Sequence, residues 1–208
     1  MGRRRLLVLM ALMSAVAGCS SSRTKDVYVL NEAVDSPGDA KASVGGPVVQ
    51  LQRVLVPDYL DTTEIRTRVG PHELRSSSTG RWAERLSLGI THTLLADLAV
   101  RLPTDMVMLA GPAEKPARRI LVTVETFEAW PDGHCVLAAN WTILEGDGRA
   151  VLTTGRATII TPAVAGGKSG DGKVVAGMAD AVGRLAGSIA PVAGGDRSSS
   201  RDFVPPRP

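Results

Sequence analysis

Large rings are scarce in this 208-residue chain, where aromatic side chains make up 3% of the residues. The hydrophobic fraction of 44% is nevertheless that of a globular protein, so Ala, Val and Leu must fill the interior in place of Phe, Tyr and Trp. Histidine occurs three times, as His72, His92 and His134, and no two of these stand at metal-ligand spacing, which argues against a metal centre. A basic surface is also missing. The formal charge of +3 is carried by Arg3, Arg4 and Arg5, and the remainder balances 21 basic against 21 acidic side chains. Such a neutral body releases no counterions from phosphate, which excludes nucleic acid as the expected partner. No Gly-x-Ser-x-Gly nucleophile motif occurs. The run Gly166-Gly167-Lys168-Ser169-Gly170 fails as a phosphate loop, because Pro162 stands where the first glycine would be needed. Asp58, Asp61 and Glu64 lie beside a turn, where carboxylates more often cap or solvate than act as an acid pair. These absences point to a protein with no catalytic residues, no metal and no cofactor.

What the sequence does have begins at its amino terminus. Gly2 to Arg5 form a positive n-region, Leu6 to Val16 an apolar stretch, and Ala17-Gly18 a small-residue site directly before Cys19. The stretch is shorter than the roughly 20 apolar residues that a membrane-crossing helix needs. Val16-Ala17-Gly18-Cys19 resembles the bacterial lipobox, in which the cysteine sulfur receives a diacylglycerol and cleavage exposes its amine. Lipidation of Cys19 supplies a membrane anchor without a transmembrane helix. Ser20, standing where Asp marks retention at the inner membrane, implies the periplasm-facing leaflet of the outer membrane. With Cys19 acylated, Cys135 has no partner for an internal disulfide and reads as a buried, inert thiol.

The pattern divides the chain into a lipoprotein signal peptide (1–18), a lipidated tether (19–25), one domain (26–193) and a disordered tail (194–208). Val27 to Leu30 reads as a first strand, and Val48 to Val56 as a second one buried mainly on one face. Leu60 to Val69 and His72 to Ser76 read as a hairpin around Gly70-Pro71. Trp82, Leu86, Ile90, Leu94 and Leu98 recur every fourth residue and predict a helix that Pro103 stops. After a short strand at Met106 to Leu109 come three longer ones, Arg119 to Ala129, Cys135 to Glu145 and Ala150 to Thr161. They are joined by Pro131-Asp132-Gly133 and Gly146-Asp147-Gly148 turns, the spacing of an antiparallel meander. A glycine-rich loop, Gly166 to Gly172, leads to a last helix from about Lys173 to Ala190. The fold class expected is α+β: a single domain with a mostly antiparallel sheet and two flanking helices.

Three runs carry a family likeness: Val56-Pro57-Asp58-Tyr59-Leu60-Asp61, then Ile65-Arg66-Thr67-Arg68-Val69-Gly70-Pro71-His72-Glu73-Leu74, and Arg81-Trp82-Ala83-Glu84-Arg85-Leu86. Together with the lipobox they resemble the ABC-type transport auxiliary lipoproteins, the paraquat-inducible protein C family (PqiC/YmbA-like). The chain departs from that pattern at Val56 for Leu, at Thr62-Thr63 for Arg-Pro, and at Arg85 for Pro. The resemblance implies an accessory, non-enzymatic lipoprotein of an intermembrane lipid transport system. Its implied partners are a periplasmic MCE-domain protein and the inner-membrane transporter behind it, with room for a homo-oligomer. Tyr59, Arg66, Arg68 and Trp82 are its signature positions and the candidate partner-binding residues, Trp82 doubling as a core anchor at the head of an apolar stripe. Other readings stay open at this level: a lipoprotein serving a different envelope-assembly machine, a domain that itself binds lipid, and a periplasmic hydrolase for which no nucleophile or metal set is visible.

Overall fold

A computed structural model describes residues 24–31, 45–111, 115–130, 134–162 and 170–194. The signal peptide, Cys19, the Pro131-Asp132-Gly133 turn, most of the glycine-rich loop and the tail beyond Gly194 lie outside the described residues. Among those described, the order is β1 (Asp26–Tyr28), β2 (Val48–Leu51), β3 (Glu64–Gly70), β4 (Glu73–Trp82), α1 (Leu86–Arg101), β5 (Met106–Leu109), β6 (Arg118–Ala129), β7 (Cys135–Glu145), β8 (Val151–Thr161) and α2 (Gly170–Ala193).

The meander β6–β7–β8 is the frame. Alternation in β7 sends Cys135, Leu137, Ala139, Trp141 and Ile143 to the core and leaves Val136, Ala138, Asn140, Thr142 and Leu144 on the opposite side. Antiparallel register sets Ile120 against Ile143 and Val122 against Trp141, then Trp141 against Gly155. That last pairing is tight, because a Cβ at Gly155 would lie 2.2 Å from Trp141 Cζ2. The turn into β8 uses Gly148 at φ 76°, a left-handed conformation that costs glycine nothing.

Both edges of β6 are occupied. On one side runs β7, and the other side is shared end to end. Parallel β2 pairs with its first residues (Val49 with Arg118, Leu51 with Ile120), Leu55 bridges to Thr123, and β3 meets its last residue (Thr67 with Ala129). β5 extends the sheet beyond β2, while β4 and then β1 extend it beyond β3. The long pairings are antiparallel and the short ones parallel. β8 pairs only with β7, so its outer edge carries no strand among the described residues.

Both helices join one core with the sheet. Leu86, Ile90, Leu94 and Leu98 of α1 and Val175, Met178, Ala181, Val182, Leu185 and Ile189 of α2 are buried in it. Aliphatic and small residues do most of the filling, with Trp82, Phe127 and Trp141 as the buried rings, as the scarcity of aromatics requires. The other face of the meander has no helix over it among the described residues.

Three sequence expectations need correction. The helix starts at Leu86, not Trp82, because Trp82 is the last residue of β4 and donates its amide to Thr63 O at 2.8 Å. The second hairpin arm does not end at Ser76 but runs on to Trp82, since β3 and β1 pair with β4 on its two sides and Asp171 accepts the hydroxyls of Ser77 (2.8 Å) and Thr79 (2.6 Å). β2 is shorter than Val48 to Val56, and Val49, Gln50 and Leu51 are all buried, so it is enclosed on both faces as well as flanked in the sheet by β5 and β6.

Candidate functional site

Strict alternation along β6 would point Thr126 and Glu128 inward with Ile120, Val122 and Val124. A bulge between Val124 and Thr126 reverses the phase, so that Phe127 and Ala129 enter the core. Glu128 is thereby turned away from the apolar interior, yet it is only 2% exposed. A carboxylate so enclosed needs partners. Arg68 grips it through Nε to Oε2, and through a second guanidinium nitrogen to Oε1 at 2.7 Å, the two-pronged geometry that suits a planar fork. Tyr59 donates its hydroxyl to the same Oε1 at 3.0 Å.

Neighbours close round this pair. The Arg68 guanidinium stands over the Trp130 ring, 5.7 Å from its centroid, and donates to Pro71 O at 3.0 Å. Trp130 stacks on His134 with centroids 5.5 Å apart. Arg66 donates to Tyr59 O and to Glu64 Oε2, the latter at 3.2 Å, which fastens the turn after β2 onto β3. That turn is anchored from below by Leu60, which is buried, and closed by Leu60 N to Pro57 O at 2.8 Å. Burial, and after it the hydrogen bond to Glu128, pushes the Tyr59 phenol up, so it remains a neutral donor. The bond to Glu128 likewise pushes the Arg68 guanidinium up.

The structure thus brings Tyr59, Arg66 and Arg68 together and places Trp82 elsewhere, 3% exposed in the core. Cys19 lies outside the described residues. Glu128, Trp130 and His134 complete the cluster, and sequence reasoning missed all three. The available signal was Glu128 at a position that strict alternation along β6 turns inward, which asks for a cation, but the bulge that aims it at Arg68 has no residue signature.

Two of the three acids flagged beside the turn, Asp61 and Glu64, have structural work. Asp61 Oδ1 accepts the Ser87 amide at 3.0 Å and Oδ2 lies 3.4 Å from Arg85, so it caps the first turn of α1 from a distance. Burial pushes the Asp61 carboxyl up, but the Ser87 and Arg85 hydrogen bonds outweigh it and hold it below the usual carboxylate range. Glu64 accepts the Ser76 hydroxyl at 2.6 Å, and chiefly through that bond its carboxyl is also held low. His92 pairs with Glu84 at 3.1 Å. Among the described residues no cluster of His, Cys, Asp and Glu is placed to hold a metal ion, and no helix is long and apolar enough to cross a membrane. Cys135 is buried, and loss of hydration pushes its thiol up to about 11.

The cluster borders the uncovered face of the sheet. On that side Leu55 (63% exposed), Ile160 (61%) and Tyr59 (43%) stand in solvent with Leu121 and Leu152, and a polar bridge from Arg156 and Asn140 to Glu125 crosses the middle. Exposed apolar groups gathered round fixed polar ones are the composition of a contact surface.

Residues 28–190 match the family model described as the ABC-type transport auxiliary lipoprotein component. Intermembrane transport lipoprotein PqiC of Escherichia coli K12 is 28% identical over 126 residues, covering 61% of this chain and 67% of the relative, and its Shigella flexneri counterpart matches equally. The crystal structure of an uncharacterized protein superimposes with a TM-score of 0.66 at 20% identity, over 81% of this chain and 98% of its own. A Xanthomonas campestris protein does so with a TM-score of 0.61 at 14% identity, over 85% and 98%. These two show a shared fold.

Proposed function

The chain belongs to the ABC-type transport auxiliary lipoprotein family, and from that premise we propose that it is a lipid-anchored accessory of an intermembrane transport system. In this reading Cys19 carries the anchor at the outer membrane, and the domain docks a periplasmic MCE-domain protein served by an inner-membrane transporter. The observation that carries the reading is the clamp of Arg68 and Tyr59 on buried Glu128. It holds the turn and β3 rigid at the border of an uncovered apolar face, so little side-chain freedom remains to be lost on docking. Arg66, Arg68 and Tyr59 supply the polar rim, and Ile160 on the same face supplies apolar area.

The test is affinity capture of the full chain from detergent-solubilised membranes. Wild type is expected to retain an MCE protein, and Tyr59→Ala and Ile160→Asp to lose it while still incorporating labelled palmitate. Capture of a different envelope machine, or capture unaffected by both substitutions, overturns the reading. Cys19→Ala is expected to abolish palmitate incorporation and membrane retention together.

A further inference from the structure

The same uncovered face holds a groove of about 580 Å³ at the end away from Glu128. Its walls are the stretch that follows β2, the first half of β6 and the β7–β8 turn, and the volume lies within the roughly 300–1,000 Å³ usual for small-molecule sites. Leu55, Leu121 and Leu144 make its apolar lining, with Arg53, Arg119 and Asp147 as its charges.

Those charges are not equally engaged. Asp147 accepts the Arg149 amide at 2.8 Å and faces the Arg149 guanidinium at 3.9 Å. Arg53 donates to Ser87 Oγ at 2.7 Å and stands 3.9 Å from Asp61. Arg119 has neither kind of partner among the described residues, and its Nε is buried without a hydrogen-bond acceptor. A buried donor left without an acceptor is costly, and an anion entering the groove would relieve it. The groove therefore presents an uncompensated positive charge beside three leucines. Inorganic phosphate would use only the arginine, and an uncharged lipid only the leucines.

We propose that this groove binds an anionic phospholipid, its phosphodiester on Arg119 and one acyl chain laid along Leu55, Leu121 and Leu144. Guanidinium and phosphate oxygens match as a planar fork, and Arg53 on the facing wall adds positive potential. The inference extends the transport reading, but it concerns the purified chain alone, so its failure leaves docking untouched and failure of docking leaves it untouched.

The experiment incubates the full chain, in a non-ionic detergent, with an equal mixture of phosphatidylglycerol, phosphatidylcholine and diacylglycerol. Retained lipid is measured by mass spectrometry after gel filtration and counted apart from any chain joined covalently to Cys19. Phosphatidylglycerol is expected to be retained over diacylglycerol, which lacks the phosphodiester, by about tenfold, the worth of one charge-assisted hydrogen bond, and over phosphatidylcholine, whose choline cation offsets the same phosphate, by less. Arg119→Gln should remove that preference, and Leu121→Gln, at a solvent-facing position, should lower retention of all three. Arg156→Gln, on the same face outside the groove, should change nothing. Equal retention of phosphatidylglycerol and diacylglycerol, or retention unmoved by either groove substitution, overturns the proposal, as does recovery of a bound polypeptide in place of lipid.

Discussion

Removing the Arg68 guanidinium would strand Glu128 as an unpaired charge in a site that water barely reaches. Breaking such a pair from one side costs about 3–5 kcal/mol, because the remaining ion keeps its desolvation penalty and loses its partner. Arg68→Met should therefore lower unfolding free energy in urea by roughly 3 kcal/mol, and the double variant Arg68→Met/Glu128→Gln should recover most of that loss. Asp61 bears on acid stability. Its folded carboxyl is held below the unfolded value of about 3.9, so its contribution is present above that pH and lost as pH falls through the folded value. Asp61→Asn should cost about 1 kcal/mol at neutral pH, the worth of a helix cap, and should flatten the decline in stability below pH 4. Cys135, fully buried and with its thiol pushed up to about 11, should resist alkylation at pH 8 in the folded protein and react once urea exposes it.

At the scale of elements, the approach of Trp141 to Gly155 makes the sharpest demand. Gly155→Val places carbon where the indole lies, and overpacking of this kind costs about 1–3 kcal/mol. A lower melting temperature with loss of the near-ultraviolet tryptophan signal is expected, and an unchanged spectrum would contradict the packing described. The meander was legible in the sequence because its information is local: alternation along β7 and a glycine turn into β8 specify both pairing and face. The Ser76–Gly80 segment was not, because its Ser, Thr and Gly composition reads as loop until Asp171, far along the chain, is brought to accept two of its hydroxyls. Trp82 misled for a related reason. Its spacing from Leu86 and Ile90 continues the helical period, yet strand and helix deliver it and those leucine and isoleucine side chains to one core.

For the molecule as a whole, what the sequence hid is nonlocal. Parallel pairings such as β1 with β4 and β2 with β6 join segments separated by dozens of residues, and no local pattern announces which strand will receive them. The candidate site depended on the same kind of information, since Tyr59 and Arg68 were visible in a motif while Glu128 and Trp130 come to them from another strand across a bulge. The shared edge of β6 also sets an order of events. Two separate arms of the sheet, one through β2 and one through β3, attach to a strand that begins only at Arg118. Until that segment has emerged, the β1–β4–β3 arm and the β2–β5 arm have no strand to join them, and contacts of such long separation form slowly. A chain built this way commits to its final shape only after more than half of its length is free to fold.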